Sequence, residues 1–189
     1  KDSIYHTLAS GKCRICHKAE ETTNHVVAEC EMLAGRNYKW RHDKVCKIVH
    51  HELTKNRGFP TCNKWWEHEP KKVVENERFK VLYDFDIQVD REVHHRRPDI
   101  IIVDKIKKTT NIIDVAVPAD CRIDKKESEK IQKYQELRIE INRLWDTKAK
   151  VTPIIIGALG SIPKDLKKNM EQIKCPTIIG KAQKTAILA

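Results

Sequence analysis

Two apolar runs dominate the pattern of the chain: IIIV at 100–103 and NIIDVAV at 111–117, separated by a lysine-rich turn. Short Ile- and Val-rich runs without polar alternation predict strands buried on both faces, here Asp99 to Asp104 and Asn111 to Val117. Just upstream, FKVLYDFDIQVD from Phe79 alternates apolar and polar positions and predicts a half-buried strand. Before it, YKWRHDKVCKIVHHELTKN repeats Val45, Ile48, Val49 and Leu53 at helical spacing and runs out ahead of Gly58 and Pro60. Its His50 and His51 read as surface histidines. The segment from Arg57 to Pro70 reads as a loop or short irregular helix, with Trp65 and Trp66 as packing anchors in preference to base-stacking platforms. Beyond the apolar runs, residues from Lys125 to Trp145 predict one helix with Ile131, Tyr134, Leu137, Ile141, Leu144 and Trp145 on a single apolar face. A further strand, Val151 to Ile156, leads through GALGS, a tight strand-to-helix turn, into a helix opening at Pro163. The order α-β-β-β-α-β predicts an α/β sandwich with a mixed sheet.

Composition adds a charge imbalance. Across 189 residues, 37 Lys and Arg face 27 Asp and Glu, a formal net charge of +10 that favours a polyanion such as nucleic acid as partner. No stretch approaches the roughly 20 apolar residues a bilayer crossing needs. The opening KDSIYHTLAS lacks the apolar core of a secretory signal and has no initiator Met, which reads as the tail of a longer chain.

The cysteines separate into two groups. Cys13, Cys16, His25 and Cys30 fall in a C-x2-C-x8-H-x4-C array, the donor set and spacing of a structural zinc knuckle, with His17 a competing ligand. So small a segment has little apolar surface to bury, and its folding energy has to come from the metal. Four protein ligands leave no open coordination position, so this zinc would not be catalytic. Cys46, Cys62, Cys121 and Cys175 are scattered and read as small buried hydrophobes. A domain division follows: a knuckle at 1–36 and an α/β domain at 37–189.

Chemistry concentrates on the two central strands. Taken singly, Asp99 and Asp114 read as strand-end residues; as a pair on adjoining strands they can hold a hard cation such as Mg²⁺ through oxygen ligands. Alternation puts residue 116 on the same face as Asp114, where the PD-(D/E)xK nuclease motif carries its lysine, but here it is Ala116. The following helix supplies a substitute. At roughly 100° per residue, Lys130 projects within about 30° of the centre of the apolar face and needs an anionic partner there, for which Asp114 is suited. Lys126 lies nearer the edge, and Lys133, at the boundary, is the second choice. Arg41, Arg96 and Arg97 are candidate phosphate contacts. Arg41 and His42 could equally touch the knuckle, and Asp43 or Glu52 could add a metal carboxylate.

In order along the chain, the CCHC array, Arg41-His42-Asp43, FKVLYDFDIQVD, Arg97-Pro98-Asp99, IIDVAVP, EKIQKYQELR, LW and PIIIGALG resemble the C-terminal region of non-LTR retrotransposon polyproteins that carry a restriction-like endonuclease. The resemblance spans nearly the whole chain. It implies a zinc knuckle followed by a restriction-endonuclease-like αβββαβ core whose lysine has moved to the helix, with Asp99, Asp114 and Lys130 catalytic. It also implies an upstream reverse transcriptase, action in the nucleus, double-stranded target DNA as substrate and element RNA as a further partner. In that family the nick frees a 3′-hydroxyl that primes reverse transcription. The alternative is a decayed or non-catalytic nucleic-acid-binding module of the same polyprotein.

Overall fold

A computed structural model describes residues 11–188; the opening KDSIYHTLAS, with its expected lack of a signal, falls outside the described residues. The longest element is helix α1, Glu31–Lys55, which starts directly after Cys30. It begins seven positions before the stretch that periodicity marks, and it runs unbroken through positions 36 and 37. Val45, Ile48, Val49 and Leu53 are buried along it, as their spacing predicts. His50 and His51 are buried too, at 1% and 5% exposure, which corrects their reading as surface histidines. The imidazoles can be buried because they are partnered: His50 Nδ1 lies 2.7 Å from His68 Nε2, and His51 Nε2 lies 2.8 Å from the Cys62 carbonyl.

Five strands form one mixed sheet in the order β1-β2-β3-β4-β5: Val73–Glu75, Phe79–Tyr83, Ile100–Asp104, Thr109–Ala116 and Lys148–Ile155. The first four pair antiparallel and β5 pairs parallel to β4. A parallel neighbour requires a crossover, supplied by helices α2, Ile123–Lys133, and α3, Gln135–Trp145. Every residue of β3 is buried, as are the last five of β4, in keeping with central strands covered on both faces. Ile113 and Val115 pack with α1, with α4 (Leu166–Gln172) and with α5 (Ile179–Leu188); the alternate Ile112 packs with Tyr134, Leu137 and Ile141 under α2 and α3. The result is an α/β layered fold, with a cysteine-rich segment ahead of α1.

Two departures from the pattern have local causes. The alternation of FKVLYDFDIQVD continues past Tyr83, but the chain leaves the sheet at Asp84, which adopts φ 44°; its carboxylate is occupied by Arg97 and Lys72. The expected single helix breaks at Tyr134, φ −105° and ψ 15°, so α2 and α3 meet at the residue whose hydroxyl reaches Asp114 on β4. Ile131, assigned to the apolar face, is consequently 40% exposed. The GALGS turn does follow β5, and Asp120 fastens it by accepting from the Leu159 and Ser161 amides at 2.8 and 3.1 Å. That approach requires Gly157, because a Cβ there would sit 2.2 Å from Asp120 Oδ1. Among the described residues no helix is long and apolar enough to cross a membrane.

Candidate active site

The cysteine-rich segment folds back on itself through the Lys12 to Glu20 bridge and the Cys13 amide bond to Ala19 O at 2.7 Å. This knuckle, with the π-helical turn His25–Glu29, gathers Cys13, Cys16, His25 and Cys30 so that one ligand atom from each lies within 4.8 Å of the others. Cys13 Sγ and Cys30 Sγ are 4.0 Å apart, and Cys16 Sγ is 3.2 Å from His25 Nε2. A tetrahedral zinc with bonds of about 2.3 Å spaces its sulfurs by roughly 3.8 Å, so the cluster has the size and donor chemistry to hold such a metal. His17, with φ 58°, stays exposed and takes no place in the cluster. The Lys18 amide, ahead of the opposing effect of burial, draws the Cys16 thiol down to about 6, which favours the thiolate a metal requires.

A second cluster forms where β3, β4, α1 and α2 meet. The pairing of Ile100 with Ile113 sets Asp99 and Asp114 at neighbouring positions, and the Val115 amide donates to Asp99 Oδ2 at 2.7 Å. Lys130, 31 to 16 positions further along, pairs through Nζ with Asp114 Oδ2. Asp114 is 2% exposed, and that oxygen accepts no other hydrogen bond. Its other oxygen, Oδ1, receives the Tyr134 hydroxyl at 2.7 Å. Burial alone would lower the Lys130 pKa, but the Asp114 charge and hydrogen bond raise it, so the amine stays an ammonium. Burial, reinforced by Asp114, pushes the Tyr134 phenol well up, so it remains a neutral donor.

His42 completes the cluster from α1. Its Nε2 lies 3.2 Å from Asp99 Oδ2 and its Nδ1 3.1 Å from Asp43 Oδ1. Burial opposes protonation, but the two carboxylates outweigh it and raise His42 to about 9. The Cys46 thiol, 3.7 Å from the same ring, stands with His42 and Asp99 in a second group able to converge on a metal ion. These residues open on a cleft of about 480 Å³ that Asp43, Tyr83, Asp84 and Arg97 also line.

The remaining expected site residues are placed differently. Lys133 lies over the Tyr134 ring, its Nζ 4.7 Å from the centroid, while the pair with Asp114 is made by Lys130. Arg41 is only 7% exposed and donates to the Val27 carbonyl, so it braces the knuckle against α1 instead of facing a phosphate; of the two sequence readings, contact with the knuckle is the one observed. Arg97 is engaged bidentately with Asp84, both bonds 2.6 Å. Arg96 keeps a half-exposed side chain and a looser 3.5 Å pair with Asp86. Glu52 accepts from Thr177 at 3.2 Å and belongs to no candidate metal group among the described residues.

Two members of the cluster escaped sequence reasoning. Tyr134 was legible only as an apolar-face residue, although a tyrosine facing a strand aspartate is a recognisable donor. His42 was legible only as part of a basic pair with Arg41 that could touch a phosphate or the knuckle, since its partner Asp99 is 57 positions away. Set against models of known protein families and against curated proteins, the chain matches none.

Proposed function

We propose that this chain is a metal-dependent DNA endonuclease domain with a restriction-endonuclease-like core, part of a non-LTR retrotransposon polyprotein. One observation carries the reading: Asp99, Asp114 and Lys130, contributed by three separate elements, meet at one end of the central strands, with Lys130 Nζ on Asp114. A buried carboxylate oxygen left to an ammonium alone, beside a second carboxylate, fits the oxygen-ligand chemistry of a hard divalent cation. Such a cation, when bound, supplies Lewis acidity toward the scissile phosphate and lowers the pKa of the attacking water.

The protein's own groups then have distinct tasks. Asp99 and Asp114 provide the ligand oxygens. The Val115 amide and His42 orient Asp99, and Tyr134 orients Asp114. Lys130 holds its proton at Nζ, where it can stabilise negative charge building on the phosphate. Arg96, whose 3.5 Å pair with Asp86 is looser than the 2.6 Å pairing of Arg97 with Asp84, is the freer of the two to grip a neighbouring phosphate, and the net charge of +10 adds long-range attraction to DNA. The knuckle, loaded with zinc, would present a further contact surface to double-stranded target DNA or element RNA. An upstream reverse transcriptase and a nuclear site of action belong to the same proposal.

A supercoiled-plasmid assay in Mg²⁺ tests it. The unaltered chain should nick, and Asp99→Ala and Asp114→Ala should abolish nicking while duplex binding persists. Cutting by either variant overturns the assignment; binding without cutting by the unaltered chain leaves a non-catalytic module.

A further inference from the structure

Away from the carboxylates, α1, α5 and the short turn Trp65–Glu67 enclose a separate groove of about 340 Å³, lined by Lys44, Trp65, Trp66, Lys181, Lys184 and Leu188. Trp65 packs against the core and meets Trp66 edge-on, with ring centroids 6.0 Å apart at 87°. Trp66 is thereby held outward and is 56% exposed, which corrects its reading as a packing anchor; only Trp65 plays that part. Trp40, also 56% exposed, stands on the same face of α1 as Lys44, whose Nζ is 4.4 Å from its ring centroid. Lys64 lies 5.7 Å from the Trp66 ring.

Single exposed tryptophans are ordinary, and so are surface lysines. The combination is not. Lys44, Lys181 and Lys184 pair with no carboxylate among the described residues, and no acid stands among the residues lining the groove. Unneutralised lysines call for a polyanion, and the two indole faces call for flat apolar surfaces presented at the same time. A nucleic acid duplex satisfies the first demand but hides its base faces in the stack. An acidic peptide also satisfies the first and offers nothing to the second.

We infer that the groove between α1, α5 and Trp66 is a binding surface for single-stranded nucleic acid, with bases stacked on Trp66 and Trp40 and phosphates held by Lys44, Lys181 and Lys184. At roughly 100° per residue, Trp40 and Lys44 project from α1 roughly 160° away from His42 and roughly 120–160° away from Cys46. A strand held here therefore runs beside the carboxylate cleft without entering it, and this surface stands independently of the endonuclease reading.

Fluorescence titrations of the whole chain with (dT)12 and (U)12 test the surface, with a 12-base-pair duplex and polyglutamate as controls. Both single strands, or one of them, should quench tryptophan emission; a preference between them identifies the sugar recognised. Trp66→Ala should weaken single-strand binding by roughly tenfold and Trp66→Phe should restore most of it, because any aromatic face supports stacking. Lys181→Ala with Lys184→Ala should reduce the slope of log affinity against log salt by roughly 1.4, the share of two single-strand phosphate contacts. Duplex affinity and plasmid nicking should be unchanged in Trp66→Ala, which keeps every charge. The inference is overturned if Trp66→Ala leaves single-strand affinity unchanged, if duplex affinity falls by the same factor, or if polyglutamate displaces (U)12 at equal charge concentration. A chain that fails to nick yet binds (U)12 through Trp66 upholds this surface and sinks the nuclease reading alone.

Discussion

The Tyr134 hydroxyl donates to Asp114 Oδ1 at 2.7 Å from the residue at which α2 gives way to α3. The same hydroxyl lies 3.3 Å from the Arg97 carbonyl, so one phenol ties the helical layer both to the carboxylate and to the approach to β3. Tyr134 is 1% exposed, and water cannot readily replace the bond it makes. Tyr134→Phe should therefore cost about 1–3 kcal/mol in urea unfolding, the range for leaving a buried acceptor unpaired. It should also slow nicking without abolishing it, since Asp114 keeps its charge and its lysine. An unchanged unfolding midpoint would show that the contact carries no weight.

Lys130 and Asp114 answer to a stricter test. The Lys130 side chain is 14% exposed and that of Asp114 3%, so removing either partner strands the other. Lys130→Met should destabilise the fold by about 3–5 kcal/mol at neutral pH. The double variant Lys130→Met with Asp114→Asn should recover much of that loss, because it removes the charge along with its partner. Additive losses in the double-mutant cycle would mean that the two residues are not coupled.

The convergence of Asp99, Asp114 and Lys130 was legible in the sequence because each rests on a local period. Strand alternation marks position 116 as the place for the lysine, its alanine leaves that role open, and the helical period offers Lys130 instead. The five-stranded sheet was legible in its central members, whose Ile and Val runs admit few other fates, but not in β1, whose three residues carry no pattern. Contacts without a period were lost. His42 meets Asp99 across 57 positions, and His50 meets His68 across a loop whose path no spacing reveals. The break at Tyr134 was hidden because the apolar spacing continues across it while the backbone does not.

The knuckle predicts its own stoichiometry. With four donors gathered and Arg41 bracing the turn from α1, the chain should carry about one zinc, released by mercurial titration of its thiols and read with a chromogenic chelator. Cys13→Ser or Cys30→Ser should bring that yield close to zero. Amide exchange on β3 and β4 should be unaffected by zinc removal, because their protection comes from the two cores flanking the sheet. Full metal retention in either variant would show that the ligand set is wrong.

The histidine pair behind the sheet sets a pH dependence whose sign is fixed by burial. Burial first, and then the neighbouring His68 and His51, lowers His50 to about 3, against an unfolded value near 6.5. Between those values the unfolded chain binds the extra proton, so stability from this group is complete above about pH 6.5 and falls as the solution is acidified. The slope approaches ~1.4 kcal/mol per pH unit, or about 2 kcal/mol between pH 6.5 and pH 5. His68, also held low chiefly by burial, acts in the same direction. His50→Asn keeps a hydrogen-bonding atom near the position of Nδ1, which faces His68 at 2.7 Å, but cannot titrate. Urea unfolding of both proteins from pH 7.5 to pH 5 should show the unaltered chain losing stability more steeply than the variant. Parallel curves would mean that His50 is protonated in the folded protein, contrary to its burial against His68 and Tyr83.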